Sequence, residues 1–198
     1  MLDASNPGEL FRTTDGGRRW TRVTPPSACP SLYAAGMASP TFGWAACAGH
    51  LFTTGNAGQT WSAASLPAES VASQDIVFTS ARGGWDLVGN NRNQNVLYRA
   101  TDGGQSWAPV AGFPTSAAST SCPDEALAVG PTGSVWLGTL TSADGGQHWT
   151  CYGMAATSAM EFVTAQDGWA QVGQTLWQGL FRTTDGGTTW QQVSAAGR

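Results

Sequence analysis

Leu180-Phe-Arg-Thr-Thr-Asp185-Gly-Gly187-Thr-Thr-Trp190 is one of five similar stretches that decide the fold of this chain. The other four read LFRTTDGGRRW, LFTTGNAGQTW, LYRATDGGQSW and TLTSADGGQHW, and they end at Trp20, Trp61, Trp107 and Trp149. Successive tryptophans are 41 to 46 residues apart. A period of this length with strand and turn signals is typical of the blades of a β-propeller.

Each of these stretches, called here a repeat hairpin, predicts a strand, a tight turn and a second strand. Asp-Gly-Gly favours a hairpin turn because glycine readily adopts the positive φ that such turns need. The Asp side chain can accept hydrogen bonds from N–H groups of the turn. The aromatic residue four positions before the Asp, as in Phe181, and the Trp five positions after it are expected to anchor the hairpin in the core.

A second signature precedes the repeat hairpin in three of the repeats. It is a Gly-Trp pair, at Gly43-Trp44, Gly84-Trp85 and Gly168-Trp169, and an apolar residue stands seven positions before each Trp (Met37, Phe78 and Phe162). This pattern predicts another hairpin, with the Trp opening its second strand. In the fourth repeat the stretch Glu125–Gly130 is expected to take the place of the Gly-Trp strand.

The expected fold is therefore all-β, a β-propeller of about five blades in one domain over residues 1–198. Each blade is an antiparallel sheet of up to four strands beside a central channel. The blade repeats are placed at about 1–25, 26–66, 67–112, 113–154 and 155–198. Too few residues precede the first hairpin for four strands. Either the first blade has three strands or fewer, or the chain is cut from a longer propeller.

The pattern Ser/Thr-x-Asp-x-Gly-x-x-Trp resembles the Asp box, also called the bacterial neuraminidase repeat, and the alternation with Gly-Trp strands is most similar to the photosystem II assembly-factor-like and sortilin-like propellers. The resemblance implies structural roles for the box residues Asp15, Gly17, Trp20, Asn56, Gly58, Trp61, Asp102, Gly104, Trp107, Asp144, Gly146, Trp149, Asp185, Gly187 and Trp190. Sialidases share the repeat, but their arginine cluster and Arg-Ile-Pro motif have no counterpart here. The family implies no single function.

The composition excludes several classes of function. The net charge is −4 and all nine basic residues are Arg, so nothing favours nucleic-acid binding. No apolar run is long enough to cross a bilayer, and membrane insertion is not expected. The first residues do not read as a signal peptide, so the protein is either cytosolic or a mature or trimmed form.

Four cysteines, Cys29, Cys47, Cys122 and Cys151, lack the CxxC spacing of a zinc or thioredoxin-like site. Two disulfides in an oxidising compartment are the preferred interpretation, and buried free thiols are the alternative. Four cysteines allow three disulfide connectivities. Cys29–Cys47 with Cys122–Cys151 is favoured because each pair lies within one repeat.

Catalytic chemistry has weak support. The carboxylates outside the repeat hairpins include Asp86 and Glu161, and Glu161 is expected on a strand bordering the channel. These two are candidate ligand contacts, although a solvated carboxylate is the more common case. His50 and His148 have no nucleophile in a recognisable spacing. No catalytic residue or cofactor is predicted. No metal site is predicted either, because single carboxylates some 41 residues apart cannot assemble a calcium site.

Trp136 and Trp177 fall outside both signatures, each 13 residues before its hairpin Trp. They are predicted to pack between blades, or else to stack on a sugar ring or a protein partner. Arg12, Arg99 and Arg182 recur at one hairpin position and are interpreted as solvated strand residues. The cluster of Arg18, Arg19 and Arg22 is expected at an exposed hairpin tip.

The leading functional hypothesis is a non-catalytic, extracytoplasmic binding or assembly module that presents one rim to a protein or a glycan. The alternative is a carbohydrate-active enzyme, or a fragment of one, that uses channel carboxylates to hydrolyse a glycosidic bond. The third hypothesis is a purely structural segment of a larger surface protein.

Overall fold

The chain forms strands and no helix in the residues that the computed structural model describes, which are 9–29, 31–67, 72–89, 95–114, 127–130, 133–138, 140–151, 157–174 and 177–193. The prediction of an all-β protein is therefore confirmed. No helix among these residues is long and apolar enough to cross a membrane.

In the described residues the strands form five antiparallel sheets, and each sheet is built from strands consecutive in the sequence. Sheet 1 has two strands, β1 (Leu10–Arg12) and β2 (Thr21–Val23), and the other sheets have four. Sheet 2 contains β3 (Leu32–Met37), β4 (Gly43–Cys47), β5 (His50–Thr54) and β6 (Ser62–Ala64), and sheet 3 contains β7 (Ala72–Phe78), β8 (Gly84–Gly89), β9 (Asn95–Ala100) and β10 (Ala108–Pro109). Sheet 4 contains β11 (Leu127–Val129), β12 (Val135–Leu137), β13 (Leu140–Ser142) and β14 (Thr150–Cys151), and sheet 5 contains β15 (Thr157–Phe162), β16 (Gly168–Gln174), β17 (Trp177–Thr183) and β18 (Gln191–Gln192).

Every repeat hairpin joins the last two strands of its sheet, as the sequence predicts. The Gly-Trp pairs open the second strand in sheets 2, 3 and 5. In the described residues sheet 1 contains its repeat hairpin, and residues 1–8 before it lie outside the described part of the chain.

The prediction for the fourth repeat was wrong. Leu127–Val129, within the stretch expected to replace the Gly-Trp strand, is the first strand of sheet 4, and the second strand is β12. Trp136 lies opposite Thr141 on the third strand, just as Trp44 lies opposite Thr53 in sheet 2. Trp136 is thus the missing Gly-Trp tryptophan. Strands β12 and β13 are only three residues long. Trp136 is therefore closer in sequence to its repeat hairpin than the Gly-Trp tryptophans of the other repeats are to theirs.

The repeat hairpins share a hydrogen-bonded loop. In the fifth, the Thr183 hydroxyl donates to Asp185 Oδ1 (2.8 Å) and accepts from the N–H of Gly187 (2.9 Å). The N–H of Thr189 also donates to Asp185 Oδ1 (2.9 Å). Gly187 has a φ of 87°, and its counterparts in the other four hairpins lie between 83° and 90°. The loop therefore satisfies its own backbone without solvent, as its sequence predicts.

The second hairpin shows that the negative charge of an Asp is not required for this loop geometry. Asn56 Oδ1 accepts from the Thr54 hydroxyl and from the N–H of Thr60, both at 2.9 Å. Its amide Nδ2 donates to the Thr60 hydroxyl (2.8 Å), which replaces the bond that the second carboxylate oxygen accepts in the third and fifth hairpins.

By contact density the chain divides into two compact units, Met1–Asn90 with Tyr98–Pro109, and Asn91–Leu97 with Val110–Arg198. In the first unit the core between sheets 2 and 3 is aromatic. Phe78 packs edge-on against Phe42 and Trp107, with ring centroids 5.8 and 5.9 Å apart. Indole N–H groups link consecutive sheets, because Trp61 donates to Thr24 O (3.0 Å) and Trp107 donates to Ser65 O (2.7 Å).

In the second unit the equivalent core lies between sheets 4 and 5. The rings of Trp136 and Phe162 are stacked at 3.4 Å, and Trp190 meets Phe162 edge-on at 5.9 Å. The Trp136 N–H donates to Gly186 O in the neighbouring hairpin loop (2.9 Å). Phe113, in the segment leading toward sheet 4, packs against Trp149. Aromatic side chains therefore form much of the core in both units.

Cys29 and Cys47 form a disulfide in the first unit, which is the pairing that the sequence favoured. It ties the segment before sheet 2 to the end of β4. Cys151 is also disulfide-bonded, and Cys122 lies outside the described residues.

The buried hydroxyl of the hairpin loop gives a direct test of what holds it together. Replacing Ser142 with Ala removes the bond to the N–H of Gly146 (2.8 Å) and leaves a buried donor unpaired. We expect this change to lower the free energy of unfolding by about 1–2 kcal/mol, measured by urea denaturation.

Ala100 provides the matched control, because it occupies the same position in the third hairpin, is equally buried, and has no hydroxyl. We expect Ala100→Ser to leave stability unchanged or to raise it. Equal destabilisation by both changes would contradict the role given to the hydroxyl, since it would point to tight packing alone.

Candidate functional site

The Asp side chains of the repeat hairpins accept hydrogen bonds from groups in their own loops. Backbone and side-chain hydrogen bonds hold the pKa of Asp15, Asp102, Asp144 and Asp185 below the ordinary value of 3.8. The largest cause is the N–H of Arg19 for Asp15, the hydroxyl of Ser106 for Asp102, the N–H of His148 for Asp144, and the hydroxyl of Thr189 for Asp185. Such groups are ionised at neutral pH and serve as fixed acceptors.

The two candidate ligand carboxylates lie in contrasting places. Asp86 is fully buried in sheet 3, at a position where sheets 2 and 5 have the small residues Ala45 and Ala170. Glu161 lies on β15 opposite Trp169 and is exposed. It is thus on the first strand, at the position of Val77 in sheet 3, as the sequence predicts. A large ligand therefore cannot reach Asp86, whereas Glu161 is accessible to one.

The two unassigned tryptophans are not equivalent in the structure. Trp136 is in the second strand of sheet 4 and only 4% exposed, so its position fits packing between sheets rather than contact with a ligand. Trp177 begins the third strand of sheet 5, and its side chain is outside the described part of the protein.

Two of the repeated arginines make a contact that sequence reasoning missed. The guanidinium of Arg99 lies 5.1 Å from the ring centre of Trp85, and that of Arg182 lies 5.6 Å from the ring centre of Trp169. These are cation–π contacts across neighbouring strands. The interpretation as merely solvated residues was therefore incomplete. The repeat pattern contains a clue to this contact, because Arg182 and Trp169 both stand at recurring positions. The strand register then pairs these two residues directly.

Two concave surfaces lie beside sheet 1, where it meets sheet 2. One is an apolar pocket of about 280 Å³ lined by residues that include Leu10, Arg12, Met37, Trp44 and Trp61. It is small for a ligand site and mainly apolar, which suits a single large side chain.

The second surface is a polar groove of about 590 Å³ next to that pocket. Arg12, Arg19 and Arg22 line it together with Asp15. Arg12 donates to Pro40 O (2.9 Å), and Arg22 pairs with Glu9 (3.0 Å). Sheet 1 therefore offers an apolar pocket with a basic border, a combination typical of surfaces that bind proteins.

No metal site is apparent in the described residues, since no three of their His, Cys, Asp and Glu side chains are grouped. His148 Nδ1 is 2.6 Å from Asp144 Oδ2 and is part of its hairpin loop. Asp167 is held by Arg182 and by Thr164.

Comparison with solved structures assigns the fold. YCF48 bound to D1 peptide matches with a TM-score of 0.57 and 18% identity, over 93% of this chain and 74% of that one. The GH74 xyloglucanase from Xanthomonas campestris matches with a TM-score of 0.60 and 19% identity, over 98% of this chain and 29% of that one. Virginiamycin B lyase from Staphylococcus aureus matches with a TM-score of 0.59 and 16% identity, over 97% of this chain and 64% of that one.

These neighbours are β-propellers, and the predicted fold class is confirmed. At such low identity the likeness establishes the fold alone. The chain spans less than a third of the xyloglucanase and just under two thirds of the lyase. Neither protein-family models nor curated proteins give a match to this sequence.

The lowered pKa of the box carboxylates predicts a loss of stability in acid. A carboxyl group whose pKa is lower in the folded state stabilises the fold above its unfolded pKa, and this contribution is lost as the pH falls through the folded value. The unfolded value for Asp185 is near 3.8. We therefore expect the wild-type free energy of unfolding to fall from about pH 4 downward.

Asp185→Asn isolates one of these groups, because Asn56 shows that an amide fits the loop when a hydroxyl follows four residues later. We expect the variant to be somewhat less stable than wild type at neutral pH, and the difference to shrink as the pH falls from about 5 to about 2. Urea denaturation at several pH values measures it. A difference that stays constant with pH would show that Asp185 keeps an ordinary pKa.

Proposed function

We propose that this chain is an Asp-box propeller that acts outside the cytoplasm as a non-catalytic binding module for a protein partner. The observation that carries the proposal is the surface beside sheet 1, where an apolar pocket and an arginine-lined groove adjoin. The described carboxylates, in contrast, are mostly engaged in structural contacts.

Membership of the Asp-box class is supported by the loop geometry. Four of the five hairpins contain a hydroxyl that bridges the Asp or Asn side chain and the N–H of the following glycine, at Thr13, Thr54, Ser142 and Thr183. Ala100 replaces it in the third, where Asp102 accepts from Gln105, from the N–H of Ser106 and from its hydroxyl.

An extracytoplasmic location is supported by the disulfide chemistry. Disulfides persist in oxidising compartments and are rare in the cytosol. The Cys29–Cys47 bond and the bonded state of Cys151 therefore favour secretion or a periplasmic site.

Thiol titration of the protein purified from its native host tests this location. We expect no reactive thiol in denaturant without reductant, and four after reduction, because the chain has four cysteines. Free thiols in the unreduced, denatured protein would argue for a cytosolic protein.

A binding role is favoured over hydrolysis because glycoside cleavage needs two carboxyl groups facing the scissile bond. Asp86 is buried, Asp167 is paired with Arg182, and the box carboxylates are tied into turns. Glu161 is the remaining exposed candidate of those that the structure describes, and Asp124 and Glu125 lie outside the described residues.

A protein partner is favoured over a glycan by the nature of the concave surface. Its arginines and apolar side chains are residue types enriched at protein interfaces. One structural neighbour is itself described as bound to a peptide, which adds support from the same fold. The enzyme remains the alternative, since another neighbour is a xyloglucanase.

Peptide and glycan arrays, together with reducing-sugar assays on xyloglucan and other polysaccharides, separate the two functions. We expect saturable binding to peptides, unchanged in Glu161→Gln, and no release of sugar. Asp102→Asn serves as the matched control, because it alters a carboxylate tied into a turn. Sugar release that Glu161→Gln abolishes and Asp102→Asn preserves would overturn the proposal.

A further inference from the structure

Positive charge is concentrated around the first repeat hairpin. Four of the nine arginines, Arg12, Arg18, Arg19 and Arg22, lie within residues 12–22. Each of the other repeat hairpins contains one arginine or none, and the chain as a whole has a net charge of −4. A positive surface on an acidic protein attracts ligands of opposite charge.

Arg19 departs from the way in which the other repeat hairpins are closed. In those four, the residue at this position bonds through its side chain to the Asp or Asn of the loop, and these residues are Thr60, Ser106, His148 and Thr189. Arg19 uses its backbone N–H alone, which donates to Asp15 Oδ1 (2.9 Å). Its guanidinium has no hydrogen bond or ion pair with any residue that the structure describes.

The first loop forms without that side-chain bond. The Thr13 hydroxyl donates to Asp15 and accepts from the N–H of Gly17, as its counterparts do in other hairpins. Arg19 therefore replaces a side chain that elsewhere helps to hold the loop. A residue that departs from its repeat at the expense of a local bond is expected at a functional position.

Three of the four arginines, all except Arg18, line one groove beside the loop of the second repeat hairpin. The groove measures about 590 Å³, within the range of ligand-binding pockets. The residues that line it fall within 12–24 and 57–59, all of which the structure describes. A Cβ added at Gly58 would clash with Val23, so the two hairpins that bound the groove are in close contact.

The guanidinium groups of the groove retain donors for a ligand. Arg12 donates from one nitrogen to Pro40 O (2.9 Å), and one nitrogen of Arg22 pairs with Glu9 (3.0 Å). A guanidinium has five N–H donors, so neither contact occupies the whole group. The carboxylate that lines the groove, Asp15, is already held by its own loop. The groove thus presents an excess of positive charge.

We propose that this groove binds an acidic segment of the protein partner, and that Asp or Glu carboxylates of the segment pair with Arg19 and Arg22. The site rests on the proposed binding function and specifies its place and the chemistry of its ligand. A planar guanidinium matches a carboxylate through two parallel N–H···O bonds, which makes the pairing geometrically selective. Gln59, on the wall formed by the second hairpin, adds an amide that can bond the backbone of the segment.

A short acidic segment fits this groove better than a long polyanion does. Outside residues 12–22 the sequence has twelve acidic residues and five arginines. A nucleic acid that extended beyond the groove would therefore meet net negative charge. Arginine is also a residue type enriched at protein interfaces.

A synthetic acidic peptide tests the site directly. Fluorescein-labelled GSEDEDEDSG should bind the full chain saturably in fluorescence polarisation at low ionic strength. Binding should weaken as NaCl is added, because salt screens exposed charges. The matched peptide GSQNQNQNSG keeps the length and the side-chain shape without the carboxylates. We expect it to bind about tenfold more weakly or worse, because the charge-assisted pairs are lost.

Two substitutions remove the proposed contacts from the protein. Arg19→Thr installs the residue that the fifth hairpin has at this position, Thr189, so the loop should close and the variant should fold. Arg22→Gln removes a charge from β2. We expect each change to weaken binding of the acidic peptide about three- to fivefold, as for an exposed ion pair, and both together about tenfold or more.

Arg99→Gln is the matched control, because it removes the same charge from another repeat hairpin. It should leave binding of the acidic peptide unchanged. Circular dichroism should show that this variant, the two single variants and the double variant are all folded.

The site is overturned if the acidic peptide does not bind, if both peptides bind equally, or if the double variant binds as wild type does. Equal weakening by Arg99→Gln would show an effect of net charge alone and would also overturn it. Array peptides whose binding is insensitive to the double variant would preserve the proposed function and overturn only the site. Polygalacturonate that binds through Arg19 and Arg22 when the acidic peptide does not would make an acidic glycan the ligand, and would overturn both proposals.

Discussion

The hydroxyl-bridged loop of the repeat hairpin is the interaction on which the rest of the structure depends. Its side-chain oxygens take up the N–H groups that a tight turn would otherwise expose, as Asp185 and Thr183 do in the fifth repeat. A turn satisfied in this way can be buried, and Thr54, Ser142 and Thr183 are buried almost completely. The loops can consequently lie against a neighbouring sheet.

Tryptophan then connects one sheet to the next. Trp61 and Trp107 donate their indole N–H to the segment that follows the preceding sheet, and Trp136 donates to a loop of the following one. The rings of Trp107 and Trp136 also pack against a phenylalanine, Phe78 or Phe162. The same residue thus supplies the apolar contact and a directional bond, which fixes how two sheets pack.

Sheet 1 has two strands in the described residues, and the pocket and the groove of the proposed binding surface lie beside it. Exposed apolar side chains that lie close together often mark an interaction site. Trp20 and Met37 are both exposed there, whereas Phe78 and Phe162, which correspond to Met37 in sheets 3 and 5, are buried. The scaffold and the proposed binding surface are therefore built from the same repeat.

By itself the sequence determined the parts of this protein that depend on short-range chemistry. The five hairpins, their glycines at positive φ and the strand opened by Gly-Trp follow from residues within one turn of each other. The period of the repeat determined the number of sheets found in the described residues. A disulfide within one repeat was predictable for the same reason.

Only the tertiary structure decided what depends on register and on neighbouring sheets. Trp136 could not be recognised as the fourth Gly-Trp residue, because short strands change its spacing while leaving its partner Thr141 in place. The burial of Asp86 and the exposure of Glu161 depend on which face of a strand meets another sheet. The same is true of Arg99 and Arg182, whose contacts with Trp85 and Trp169 depend on how neighbouring strands are paired. Side chains that are distant in sequence meet through packing, and no local pattern encodes that.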